Sequence, residues 1–299
     1  MGRQPLGACN LVSMQDVYGA FVGSFGLNVR MMREMCQVRT VEITPKPGTL
    51  LHLPATPDAT FRLPLDYVIA PFVIVTHCWD AETVKLASDI VRGRPGGATL
   101  VDIGANSGLF TRQMLGSCPE FRHAFAYEPH PENFKCLQHN VASFDHVRGR
   151  NYALGPNADT LDFHIDPDNC GNYSLNSSAM PKGQDCTTIS VAVKSAASET
   201  RDWLATGLPI FYKSDTQGHD ELIATSVKPP SGTRFLPASS SCGASRRRPG
   251  RPAACRSCWT NSRTSVSCVI QGLRSAPPTS WATSPGTTAH RTMCCSGSR

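Results

Sequence analysis

The last quarter of this 299-residue chain contains no aspartate, no glutamate and no lysine; from Pro229 to Arg299 every charged side chain is an arginine. Soluble chains mix both signs and carry about a quarter charged residues, whereas here the whole chain reaches only 17%. Ten tail arginines lift a body of 19 basic and 23 acidic residues to a net charge of +6, so the basic balance belongs to the tail and implies no nucleic-acid partner. Long apolar runs are missing as well. The most apolar stretch, Leu65 to Thr76, is interrupted by Asp66 and Pro71 and falls short of the ~18 residues of a membrane span, which argues against a membrane partner. Paired cysteine spacings are absent from the body: Cys9, Cys36, Cys78, Cys118, Cys136, Cys170 and Cys186 read as reduced thiols of a cytoplasmic protein. His130, His139 and His146 share no ligand spacing, so no metal is expected. Met1 to Asn10 lacks the basic, apolar and small-residue succession of a secretory leader, and no internal repeat is visible.

What is present is concentrated between Leu100 and Phe110. An apolar strand ends on Asp102 and turns through Gly104 and Gly108 into a helix, a geometry that lets backbone N–H groups approach a ligand and offers the free amides of the helix start. About twenty residues beyond Gly108 the strand Ala124 to Tyr127 ends on Glu128, the spacing at which a strand-end carboxylate accepts hydrogen bonds from ribose hydroxyls. The pair reads as an adenosine site. A dinucleotide fingerprint needs a second glycine where the pyrophosphate presses on the backbone, and that place holds Asn106. An adenosine cofactor without phosphate suits the loop better, and S-adenosylmethionine is the common one. Its positive charges favour groups that Asp102 and Asn106 supply or orient.

Around this loop, strands and helices alternate. Asp80 caps a helix whose stripe is Val84, Leu86, Ile90 and Val91. Strands are expected at Phe61–Leu65, Tyr67–Val75, Thr99–Ile103, Ala124–Tyr127, Val147–Ala153 and Leu208–Tyr212, with helices at Gly108–Leu115 and Pro131–Ala142. Leu161–Ile165 and Thr188–Val193 read as a half-exposed hairpin insert. The expected fold class is α/β, a doubly wound and mostly parallel sheet with ligands outside the carboxyl ends of its strands. The last strand brings Lys213 and Asp215 to the edge that carries Asp102 and Glu128.

Four blocks, Val101 to Thr111, Tyr127 to Phe134, Asn151 to Gly155 and Lys213 to Asp220, resemble the FkbM-type methyltransferases, over about Trp79 to Val227. The resemblance implies a class I methyltransferase-like sheet, S-adenosylmethionine as cofactor and methylation of a hydroxyl on a small molecule or sugar. It implies that Gly104, Asn106 and Gly108 line the methionine end, that Glu128 holds the ribose, and that Ala153 and Leu154 lie near the adenine. Asp220 stands where the family usually has glutamate. Methyl transfer to an alcohol needs a group to receive the hydroxyl proton, and the candidates are Asp215 and His219. The other readings are an inactive cofactor-binding or interaction protein with a truncated fold, and a nicotinamide-dependent oxidoreductase.

Three regions follow: an N-terminal extension with short strands over 1–78, a methyltransferase domain over 79–228, and a tail over 229–299 that is disordered or translated out of frame. The sheet would then be incomplete toward the C-terminus and would leave the strand bearing Asp215 with a bare edge. Cys255-x-x-Cys258 with Cys242 and Cys268 offers a zinc alternative, and Arg246, Arg247, Arg248 and Arg251 a phosphate-binding one.

Overall fold

The computed structural model describes residues 28–94, 96–180 and 186–227, together with the backbone of strands 234–237 and 269–272. Those residues form the elements α1 (residues 28–34), β1 (Thr40–Ile43), β2 (Phe61–Pro64), α2 (Ile69–Thr76), α3 (Ala81–Val91), β3 (Ala98–Ile103), α4 (Leu109–Ser117), β4 (Phe121–Tyr127), α5 (Pro131–Asn140), β5 (Val147–Arg150), β6 (Ala153–Gly155), β7 (Asp159–Ile165), β8 (Thr187–Ser195), α6 (Ala196–Ala205), β9 (Ile210–Ser214), α7 (Asp220–Ser226), β10 (Arg234–Pro237) and β11 (Val269–Gly272).

The main sheet has the order β10-β11-β9-β3-β4-β5, and β9, β3, β4 and β5 are parallel. Every residue of β3 is buried because helices cover both faces. Leu100, Ala124 and Phe211 face α3 and α4, while Val101, Phe125 and Tyr212 pack with Ala196 and Trp203 of α6 and Ile223 of α7. The fold is α/β with a mostly parallel central sheet. The order of strand addition reverses at β3, since β3 leads to β4 and β5 on one side while β9 is added on the other. Such a reversal opens a crevice at the strand tips.

Two smaller layers close that crevice. β1 and β2 pair antiparallel, and their cluster, with Leu51, Phe61, Ile69 and Val73, reaches Leu109 of α4 and Cys170. The buried Arg112 guanidinium fastens this segment to α4 by donating to the carbonyls of Leu51, Ala59 and Thr60 at 3.0, 2.8 and 2.7 Å. β7 and β8 form the expected antiparallel insert, with β6 added parallel to β8.

Four expectations are corrected. The stretch Tyr67–Val75 is helical over most of its length, because Asp66 accepts from the amides of Ile69 and Ala70 at 2.9 and 2.7 Å and so satisfies the first turn of α2. Val147–Ala153 divides into β5 and β6, which belong to different sheets. Leu86 is 38% exposed, its place on the buried side of α3 taken by Ala87 and Ser88. The edge of β9 is paired, since β11 lies antiparallel to it. Apart from the backbone of β10 and β11, the readings made for 229–299, including the zinc and arginine alternatives, lie outside the described residues.

Candidate functional site

A cavity of about 370 Å³ lies at the tips of β3, β4 and β9, within the size range of small-molecule sites. Its floor is the turn after β3. Gly104 and Ala105 donate their amides to the Tyr127 carbonyl at 3.0 and 2.9 Å, which fixes the turn to the tip of β4. Gly104 has φ +74°, and a Cβ there would stand 2.0 Å from the Asp215 carbonyl. The close approach that demands this glycine is therefore made by the chain itself. Gly108, at φ +82°, is required for its backbone conformation, while a Cβ there would meet only the movable Cδ1 of Leu137 of α5, at 2.7 Å.

Asn106 also adopts a left-handed conformation, φ +52°, which asparagine tolerates better than most residues. Its side chain is spent locally, accepting from Ser107 N–H at 2.6 Å and donating to the Cys170 carbonyl at 2.7 Å. Its own amide donates to Glu128 Oε2 at 2.8 Å, and His130 N–H donates to Glu128 Oε1 at 2.8 Å. The Glu128 carboxylate thus joins the two strand tips while lining the cavity. Each oxygen keeps a lone pair beyond the bond it accepts. Burial pushes this carboxyl up to about 7, against the opposing pull of the His130 and Asn106 amides and the Lys213 ammonium. Asn151 Nδ2 holds the backbone of the same turn, donating to the carbonyls of Glu128 and Pro129 at 2.9 and 3.1 Å.

Asp102 lies elsewhere. It shares with Leu100 the face of β3 beneath α4, fully buried, where Oδ2 accepts from Thr111 Oγ1 at 2.6 Å and Oδ1 sits 2.9 Å from Lys213 Nζ. The two residues are cross-strand partners in register, so the ion pair is a consequence of the β3–β9 pairing. Burial pulls the Lys213 ammonium down, but Asp102 and Asp215 outweigh it and its pKa stands above the usual value. The pair supports the loop, since Lys213 also donates to the Gly104 carbonyl at 3.1 Å.

After β9 the chain delivers Asp215 and His219 to the cavity wall. Asp215 Oδ1 accepts from Gln217 Nε2 at 3.0 Å, and burial pushes its carboxyl up to about 6, with Asp220, Asp102 and Asp80 adding to the rise and Lys213 opposing it. Burial lowers the His219 imidazole, which keeps it neutral near pH 7. Asp220 is occupied in the turn itself: Oδ1 accepts from the Ser214 hydroxyl and from the amide and hydroxyl of Thr216.

Of the residues expected at the site, Gly104, Asn106, Glu128, Ala153, Asp215 and His219 line one cavity, and so does Leu154; Asp102 and Gly108 stand behind its wall. Other lining residues carried no signature of the site: Trp79, Asn133, Cys170 and Tyr173, with Asp80 legible only as a helix cap. The one usable hint was Asp66, an isolated acid in an apolar run. Its Oδ2 accepts from Cys170 N–H at 3.0 Å and anchors the insert loop over the cavity. Among the described residues there is no cluster of three or more potential metal ligands, and no helix is long and apolar enough to cross a membrane.

No known family and no curated protein sequence matches the chain. Among solved structures it is similar to the methyltransferase FkbM from Methylobacillus flagellatus KT, at 10% identity and a TM-score of 0.31 over 84% of this chain and 60% of that one. It is also similar to a SAM-dependent O-methyltransferase from Thermotoga maritima, at 10% identity and a TM-score of 0.28, covering 66% of this chain and 67% of the other. The chain thus spans less than two thirds of the first of these proteins.

Proposed function

We propose that the protein is an S-adenosylmethionine-dependent methyltransferase acting on a hydroxyl of a small molecule or sugar, in the cytoplasm. The observation that carries this reading is Glu128, a carboxylate bonded to both strand tips and facing a cavity at the sheet's reversal point. Electrostatics distinguish the cofactor class. Among the described lining residues Lys213 is the one Lys or Arg, and Asp102 holds its charge, so no free cation meets a pyrophosphate. Glu128, Asp215 and Asp80 instead make the wall suited to a ligand with positive charge.

When bound, the cofactor supplies a methyl group on a positively charged sulfur. Glu128 would accept from its ribose hydroxyls, Ala153 and Leu154 would give the adenine an apolar wall, and Gly104 and Asn106 would border its methionine end. The acceptor's hydroxyl proton would pass to Asp215 or to neutral His219. The turn that carries both groups is held rigid by the Asp220 carboxylate, so the base is positioned before the acceptor arrives.

Calorimetry with S-adenosylmethionine, S-adenosylhomocysteine and NAD separates the readings. Binding of the first two and none of NAD is expected; binding of NAD alone would overturn the proposal in favour of an oxidoreductase. An Asp215→Asn, His219→Ala double variant that still methylated its acceptor at the original rate would refute the assignment of the base.

A further inference from the structure

Two consecutive residues of the cavity wall, Trp79 and Asp80, carry more than the general negative charge already described. Trp79 lines the cavity at the junction of α2 and α3, and its backbone is clamped on both sides by one side chain: Trp79 N–H donates to Gln113 Oε1 and Gln113 Nε2 donates to the Trp79 carbonyl, each at 2.9 Å. Gln113 is fully buried in α4, and Phe72 packs edge-on against the Trp79 ring with centroids 5.5 Å apart. The indole is therefore held in place from the core rather than left to a mobile loop. Asp80 follows directly, also in the wall, with φ +45°. A non-glycine residue in that conformation is uncommon, and here it turns the chain into α3 while the carboxylate accepts from Thr83 N–H at 3.4 Å, a long bond that leaves most of its accepting capacity free.

The charges around this corner do not cancel. Lys213, the one Lys or Arg among the described lining residues, is neutralised by Asp102, whereas Asp215 and Asp80 line the cavity with no such cation beside them in the wall. An acceptor bearing a phosphate or carboxylate would enter with no counter-charge and with two carboxylates facing it. A protonated amine would meet carboxylates and an indole, groups that attract organic cations.

We infer that the acceptor carries a cationic amine beside its hydroxyl and that Trp79 and Asp80 recognise it. This deepens the methyltransferase proposal by naming the charge class of the second substrate, and it rests on the same cavity.

Asp80→Asn isolates the charge, because asparagine caps a helix start as well as aspartate does and tolerates the left-handed backbone. Binding of glucosamine, glucose and glucuronate, matched as cation, neutral and anion, is measured by ligand-observed NMR on the full chain, with and without S-adenosylmethionine. The expected order is glucosamine tightest and glucuronate weakest, with Asp80→Asn weakening glucosamine about tenfold and leaving glucose unchanged. Trp79→Leu, checked for folding by its thermal transition, should weaken both glucosamine and glucose. Glucuronate binding as tightly as glucosamine, or a full glucosamine affinity in Asp80→Asn, would overturn the inference. Because the probes are also read without the donor, a protein that binds glucosamine but no S-adenosylmethionine fails the methyltransferase proposal alone, and one that binds S-adenosylmethionine but prefers glucuronate fails this inference alone.

Discussion

Asp102 and Glu128 stand at the ends of neighbouring strands, and their burial gives them opposite tasks. Asp102 is paired with Lys213 and never reaches the cavity, so its removal acts on stability. Lys213→Met should cost about 3–5 kcal/mol by leaving a buried carboxylate uncompensated, and the Asp102→Asn, Lys213→Met double variant should recover much of it; urea denaturation of the wild type and the two variants checks the loss and the recovery. Gly104→Ala should destabilise by more than ~1 kcal/mol, since the new Cβ meets a backbone carbonyl that cannot swing away. Asp102 lines no part of the cavity for a reason visible in β3: residues 100 and 102 share a face, and that face belongs to α4. Glu128 was legible because its spacing from Gly108 places it one residue beyond the strand, where no helix covers it. Trp79 and Asp80 were not, since their presence in the cavity depends on a glutamine more than thirty residues away.

Among the elements, β3 and β4 follow directly from apolar runs bounded by glycine and proline, and α5 from Pro131 at its first turn with Phe134 and Leu137 on its packed side. α2 does not. Ile69, Val73, Ile74, Val75 and Thr76 all favour strand, and the segment is helical because one buried carboxylate serves two of its amides and a third from Cys170, 104 positions away in the chain. Asp66→Ala should therefore loosen two places at once. Hydrogen exchange is expected to quicken in both α2 and residues 166–173, with a stability loss of about 1–3 kcal/mol; faster exchange in α2 alone would show that the insert loop is held by other contacts, such as Arg33 on the Pro167 carbonyl at 2.6 Å.

For the whole molecule, the raised carboxyls set a pH dependence. Glu128 and Asp215 have folded pKa values of about 7 and about 6, above the ordinary 4.5 and 3.8, so the ligand-free folded state keeps their protons to higher pH than the unfolded chain does. Their contribution is full below about pH 4 and is lost as pH rises through 6 to 7. Stability of the free protein measured between pH 5 and 8 should accordingly fall, before other groups are counted, and a ligand that needs these carboxylates ionised should release protons on binding below pH 7. The most direct test is the affinity of S-adenosylmethionine for the wild type and for Glu128→Gln, measured by calorimetry from pH 5.5 to 8.5. Affinity in the wild type is expected to rise through about pH 7, and the variant to bind at least about tenfold more weakly with that rise removed. A flat wild-type profile together with undiminished binding by the glutamine variant would contradict the account of Glu128 as the carboxylate that grips the ribose.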